Sequence, residues 1–431
     1  MKDLEIRNGY IMDPVSRTEG FADLLIRDGR IARVIKKNGG FVMNSGNTDH
    51  GSTEVVDASG CVIAPGLVDV HVHFRDPGFV WKEDLQSGSA AAAKGGVTSV
   101  VCMANTNPVV DEPEVLQDIL ERAEDLPVRI YQASAVTRGL KGKQLVAMED
   151  MAAAGAVCFT DDGIPLIDEH LLLEAMERAA KLHLPVSLHE EHPMFVKEAG
   201  VHAGEAAAIL GYGGAFAEAE DILVARDIVL ALKSGARVCI QHISSARSVE
   251  LVRLAKKWGA DVHAEATPHH FTLTQDAVIK YGTNARMNPP LRTEQDREAI
   301  IEGLKDGTID LIATDHAPHS AEEKEKALPE APSGIIGLET SLALGIKSLV
   351  LPGHLSLMQL LSKMSEMPAR IYGLEPGQIC EGSEADLVIF SETETWKADR
   401  FVSRASNSPF LGWTLPGKIH AVICRGKIVY R

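Results

Sequence analysis

The chain contains no run of about 18 apolar residues, so no membrane-spanning helix is expected. Its first residues, MKDLEIRNGYIMD, carry acids and no apolar stretch, so no secretory signal is expected either. Cysteine is sparse. The six residues, Cys61, Cys102, Cys158, Cys239, Cys380 and Cys424, form no Cys-x-x-Cys pair. That pattern argues against a disulfide framework and a cysteine–zinc site, and four of the six sit in apolar runs as buried thiols suited to a reducing cytoplasm. Positive charge is short as well: 43 Lys and Arg against 60 Asp and Glu give a net charge of −17. A protein that coats nucleic acid needs a basic face, so that class is excluded. An acidic small substrate is not, because exposed charges are screened beyond about 8 Å and a buried arginine can dominate locally. No internal repeat and no low-complexity segment stand out.

What is present supports a large core. The apolar share is 45 % of 431 residues. Residues 1–60 and 375–431 read as short strands between Asn-Gly, Asp-Gly and Ser-Gly turns, which suggests one small β-sandwich built from both termini. Residues 61–374 differ. Eight apolar runs, GLVDVHVH, SVVCMAN, RIYQASAV, AVCFTDD, VSLHE, RVCIQHI, DVHAEATPHH and DLIATDHAP, recur with helical patterns between several of them. Eight such units fit a (β/α)8 TIM-type barrel better than a doubly wound sheet. Residues able to do chemistry gather at the C-terminal ends of these runs, the face where barrel active sites sit.

His71 and His73 lie two apart on the first run and point to one side, so both imidazoles can reach one ion. His189 and His242 end the fifth and sixth runs, and Asp315 ends the eighth. A carboxylate beside four imidazoles can ligate a metal and still accept a proton. The fourth run offers Asp161 and Asp162, between which strand alternation does not choose. Arg75, Asn105, Asn288 and His319 surround this set as candidate substrate contacts, with an ion pair to Asp76 or Asp69 open to Arg75. His263, His269 and His270 lie close enough to the seventh run to reach the site. The run AEEKEKALPEAPSG after the eighth strand suits a mobile flap.

DVHVHFRDPG, MANTNP, TDDG, HIS, EATPHH, MNPPLR and ATDHAPH, in this order from Gly66 to Phe410, together resemble the dihydroorotase family of the amidohydrolase superfamily. The variant resembled is the bacterial type I enzyme, with Asp in place of a bridging carboxylated Lys. The resemblance implies a (β/α)8 barrel with a terminal β-sandwich. It also implies one or two zinc ions per subunit: His71 and His73 on one, His189 and His242 on the other. Asp162 would bridge them, and Asp315 would be a ligand and the catalytic acid/base. It places Arg75, Asn105, Asn288, His319, Ser333 and Gly334 around the substrate. Ala104, Glu190 and Asp76 depart from the family pattern without removing a ligand.

The implied reaction is reversible cyclisation of N-carbamoyl-L-aspartate to L-dihydroorotate plus water, in pyrimidine biosynthesis. Arg75 favours this carboxylate-bearing ring over the neutral rings of hydantoinases and allantoinases. A catalytically silent scaffold for aspartate transcarbamoylase should lack a metal ligand, and this chain keeps all six. The resemblance leaves open a homodimer and a complex with aspartate transcarbamoylase.

Overall fold

The computed structural model describes residues 3–37 and 53–431. The Gly-, Asn- and Ser-rich composition from Asn38 to Ser52 suits an exposed loop, and these residues lie outside the described ones. The chain starts with β1 (Leu4–Asp13), β2 (Thr18–Arg27), β3 (Arg30–Lys36), β4 (Glu54–Asp57) and β5 (Val62–Pro65). Ala22, Leu24 and Ile26, two apart on β2, turn inward, as strand alternation requires. Asp28 and Gly29, both at positive φ, close the β2–β3 hairpin in the backbone conformation that such tight turns need.

Eight parallel strands follow. They are β6 (Leu67–Val72), β7 (Val97–Cys102), β8 (Arg129–Ser134), β9 (Ala156–Phe159), β10 (Val186–Leu188), β11 (Val238–Ile240), β12 (Val262–Ala266) and β13 (Leu311–Ile312). They pair in sequence order from β6 to β13. The ring is completed where Val72 bridges His316 and the His73 N–H donates to the His316 carbonyl at 2.9 Å. The sequence reading of a (β/α)8 barrel is therefore what the chain adopts.

Helices pack outside the ring through one apolar stripe. Glu169–Leu182 is typical: the Asp168 side chain accepts from the Leu171 N–H at its start, and Leu172, Ala175, Met176 and Ala179 are buried at helical spacing. Inside the ring, Val68, Val70, Val101, Cys158 and Cys239 pack with Ile371 and Tyr372, which fill its lower end. The barrel is thus a packed core and not a pore.

The chain returns through β14 (Leu387–Ser391), a short ribbon of β15 (Trp396–Lys397) and β16 (Thr414–Leu415), then β17 (Lys418–Cys424) and β18 (Lys427–Tyr430). The terminal strands form one hydrogen-bonded path, β18-β17-β14-β5-β1-β2-β3, with β4 on β1. Their inward residues enclose a separate core that includes Ile6, Leu24, Ile63, Leu387 and Ile423. β5 belongs to this sheet, so the chain crosses into the barrel at Gly66. All six cysteines are free, five of them buried. Among the described residues no helix is long and apolar enough to cross a membrane.

Candidate metal centre

The strand ends converge. His71 lies on β6 and His73 just past it; Asp162 follows β9, His189 follows β10, His242 follows β11 and Asp315 follows β13. His73, Asp162, His189, His242 and Asp315 line a pocket of about 200 Å³ together with Arg75, Asn105, Gly163, Asn288, His319, Ser333 and Gly334. His71 sits beneath it, fully buried. The twelve residues that the resemblance implied therefore reach one place.

The turn that aims Asp162 needs Gly163, whose φ is +79°. Three non-glycine residues of the site share that left-handed region: Arg75 at +60°, His242 at +33° and Asp315 at +48°. Each costs about 1–3 kcal/mol and persists only where the surroundings enforce it, as functional sites commonly do.

The donor spacing fits a metal. Two donors about 2.1 Å from a tetrahedral zinc lie roughly 3.4 Å apart. His71 Nε2 lies 3.3 Å from Asp162 Oδ1 and 3.5 Å from Asp315 Oδ1. His73 Nε2 lies 3.4 Å from Asp162 Oδ2 and 3.0 Å from Asp315 Oδ1. His189 Nδ1 and His242 Nε2 face each other at 3.0 Å. His71, Asp162 and His242 gather ligand atoms at one point, and His71, His73 and Asp315 at a second. His71 Nε2 is buried with no hydrogen-bond partner, a nitrogen placed to take an ion. The residues present therefore fit a divalent metal, and neutral imidazoles with carboxylates suit zinc.

Neighbours set the ring orientations. Glu265 Oε1 accepts from His71 Nδ1–H at 2.6 Å and from the His242 backbone N–H at 3.0 Å. A carboxylate can only accept, so the His71 proton is on Nδ1 and Nε2 faces the site. His73 Nδ1–H donates to Asn105 Oδ1 at 2.9 Å, and Asn105 Nδ2 donates to Asp162 Oδ2 at 3.0 Å. Asn105 thus lines the pocket while its amide is committed to two ligands. His189 Nε2 approaches Glu191 Oε2 at 3.6 Å. Burial alone would lower the His71 pKa, but Glu265, Asp162 and Asp315 hold it well above the ordinary value, so an ion taken at Nε2 would displace a proton there while Nδ1–H stays on Glu265. Burial pushes Asp162 up, but His71, His73 and His189 hold it well below the usual carboxylate range. Burial and the cationic forms of His189 and His71 hold His242 well below the usual imidazole range.

Glu265 and Glu191 escaped the sequence reading. The available signal was a carboxylate in each of two otherwise buried strand ends. Asp161 does not enter the site: its carboxylate accepts from the Val136 and Thr137 N–H groups at 2.7 and 3.0 Å. Nor do the histidines around the seventh strand join it. His263 faces Asp261 and Asp310, and His270 Nε2–H donates to the Pro289 carbonyl at 3.1 Å.

Arg75 takes neither partner that the sequence offered. Asp76 pairs with Arg122 at 2.8 Å, and Asp69 Oδ1 accepts from the His71 and Thr314 N–H groups. Arg75 Nε donates to the Pro318 carbonyl at 3.3 Å, and its guanidinium has no carboxylate partner among the described residues. Burial draws its pKa below the usual value. Nearby, His319 Nε2–H donates to the Ser333 carbonyl at 2.8 Å. Burial, Arg75, Lys82 and Lys324 together push His319 down to about 2, so its ring is neutral. Asn288 Oδ1 is buried without a partner.

Residues 62–429 match the Amidohydrolase family. Two curated relatives named "Dihydroorotase" are similar over 427 residues, 99 % of each chain: one from Clostridioides difficile (strain 630) at 54 % identity, one from Clostridium acetobutylicum at 49 %. Among solved structures, the L-hydantoinase (dihydropyrimidinase) from Arthrobacter aurescens superposes with a TM-score of 0.85 at 27 % identity, covering 99 % of this chain and 96 % of its own. The dihydropyrimidinase from Brevibacillus agri NCHU1002, at 22 % identity and a TM-score of 0.84, shares the fold over 100 % of this chain and 95 % of its own. With a family match over most of its length and full-length relatives near half identity, the chain belongs to the amidohydrolase family and, within it, to the dihydroorotases.

Proposed function

We propose that the chain interconverts N-carbamoyl-L-aspartate and L-dihydroorotate plus water, as a zinc enzyme of pyrimidine synthesis. The observation that carries the substrate is Arg75: a half-buried cation lining the pocket beside the candidate metal ligands, with no carboxylate in hydrogen-bond contact among the described residues. A guanidinium with N–H donors not taken by a carboxylate matches a ring carboxylate through a planar two-pronged contact. Neutral cyclic amides cannot, which favours this reading over the activity named in the hydantoinase structures.

His71, His73 and Asp315 would hold one ion, His189 and His242 the other, with Asp162 between them. Such an ion acidifies water towards neutrality and acts as a Lewis acid. The chain's own residues do the rest. Arg75 fixes the substrate carboxylate and thereby the position of the scissile ring amide. The unpartnered Asn288 Oδ1 accepts a ring N–H. The neutral His319 and the backbone at Ser333 and Gly334 border the ring. Asp315 takes the proton of the attacking water at its carboxylate and returns it to the leaving ring nitrogen. Asn105, Glu265 and Glu191 hold ligands in place. Six free cysteines, five buried, support a reducing cytoplasmic setting.

The test is an assay of zinc-supplemented protein on L-dihydroorotate, hydantoin and allantoin, with Arg75→Met alongside. The expected result is turnover of dihydroorotate alone. For Arg75→Met, KM should rise roughly 10- to 150-fold, the loss of a charged hydrogen-bonded contact of about 1.5–3 kcal/mol. Turnover of the neutral rings would overturn the substrate assignment and leave the metal centre standing.

A further inference from the structure

The charged run AEEKEKALPEAPSG suited a mobile flap, and the structure makes its far end part of the pocket wall. Ser333 and Gly334 line the pocket, and the carbonyls from Ala331 to Ile335 are all tied down. The Ala331 carbonyl accepts from the Arg286 guanidinium. Lys324 Nζ donates to the Pro332 carbonyl at 2.9 Å and to the Gly334 carbonyl at 3.0 Å. The Ser333 carbonyl accepts from His319, and the Ile335 carbonyl from the Ala317 N–H at 2.8 Å. Asn407 Nδ2, arriving from the C-terminal segment, donates to the Gly334 and Ala317 carbonyls at 3.0 and 3.1 Å. Its Oδ1 accepts from the His319 N–H at 3.2 Å, and its own carbonyl from the Ile336 N–H at 3.0 Å.

Lys324 is unusual among these groups. It is only 7 % exposed, and its neighbour Glu323 is engaged by Lys82 at 2.7 Å. The other cation beside it, Arg286, is equally buried and also bonds to carbonyls, of Ala331 and Ala199. An ammonium buried on two carbonyls is expensive, and an apolar side chain of similar volume would fill the space without that cost. What the ammonium supplies, and an apolar chain would not, is a two-point hold on the Pro332–Gly334 backbone.

We propose that Lys324, supported by Arg286 and Asn407, is a positioning residue that holds the Pro332–Gly334 backbone in the conformation that receives the substrate ring. The proposal rests on the reading above in one respect, that the ring binds against this backbone. Gly334, at φ +122°, adopts a conformation that few side chains tolerate and that the three clamps enforce. Burial and Arg286 push Lys324 down to about 7, which agrees with the lack of a neutralising carboxylate.

The test uses the zinc-loaded full chain carrying Lys324→Met. Its KM for dihydroorotate should rise about tenfold, equivalent to about 1.4 kcal/mol, with kcat within about threefold of the parent and metal content unchanged. Without substrate, amide exchange at Gly334, Ile336 and Gly337 should quicken about tenfold by mass spectrometry. Asn407→Leu should give the same pattern. The double variant should fall short of the summed effects, because both side chains hold the Gly334 carbonyl. A folded, metal-replete Lys324→Met protein with unchanged KM, or one whose exchange at these amides is unaltered, would overturn the proposal. So would a loss confined to kcat. If Lys324→Met does not fold, Asn407→Leu is judged on the same three readings. Failure of the reaction itself would show separately, as a parent protein inactive on dihydroorotate, while the exchange measurement would still judge the clamp.

Discussion

Replacing Glu265 by Gln tests whether the metal centre is built from its surroundings. The Glu265 carboxylate accepts from His71 Nδ1–H at 2.6 Å and from the His242 N–H at 3.0 Å, in a fully buried setting. Gln keeps the volume and one acceptor oxygen but removes the charge. A hydrogen bond to a charged group contributes about 1.5–3 kcal/mol and a neutral one about 0.5–1.5 kcal/mol, so the His71 contact loses roughly 1–1.5 kcal/mol. The charge also makes His71 a stronger donor to an ion, and outer partners of this kind are worth about 10- to 100-fold in metal affinity. The two estimates meet at about tenfold weaker zinc binding. The assay is zinc titration of metal-free protein against a chromophoric chelator, followed by kcat at saturating zinc. The expected outcome is weaker binding with most of the activity recovered at saturation. Parent-like zinc affinity in Glu265→Gln would refute the claim that this carboxylate sets the His71 tautomer and basicity.

Asp315→Asn keeps the shape of the proposed proton carrier but not its basicity, so kcat should fall by about 10²- to 10⁴-fold. More than about a tenth of parental kcat in a metal-replete variant would remove Asp315 from that role. Gly88→Ala sets a Cβ 2.4 Å from Phe74 Cδ1 in the core; overpacking of about 1–3 kcal/mol outweighs the ~1 kcal/mol gain in helix propensity, so the melting temperature should drop. An unchanged or higher melting temperature would mean that the Phe74 ring moves aside freely. Burial holds His270 down to about 4, against an ordinary value of 6.5. The unfolded chain therefore takes up a proton that the folded one refuses, and this contribution to stability, full above pH 6.5, is lost as pH falls towards 4. In urea titrations of metal-free protein, His270→Gln should flatten that decline; an identical slope would show that His270 contributes nothing to it.

Much of this site was legible because its signals are local. His71 and His73 sit two apart on one strand, and strand alternation alone puts their rings on one side, 5.4 Å between centroids. Polar residues at the ends of apolar runs are equally visible, and parallel packing carries them to one face. Other features were not local. Asp161 and Asp162 differ by one position, and only the placement of the Val136 and Thr137 N–H groups assigns Asp161 to the backbone and leaves Asp162 facing the pocket. Asn105 read as a substrate contact, and its neighbours His73 and Asp162 show why its amide is directed at the ligands.

The amino-acid order by itself determined the barrel, the terminal strands and the gathering of polar residues at the strand ends, because periodicity and spacing act over a few residues. The tertiary structure decided what each of those residues is free to do. Glu265 meets His71 across 194 positions of chain, and Asn407 meets Ala317 across 90. Arg75 is left for a ligand only because Arg122 takes Asp76 and the closure between β6 and β13 occupies Asp69. Such choices depend on which partner the folded chain holds within about 3 Å of a buried polar group, and that is fixed by contacts between strands distant in sequence.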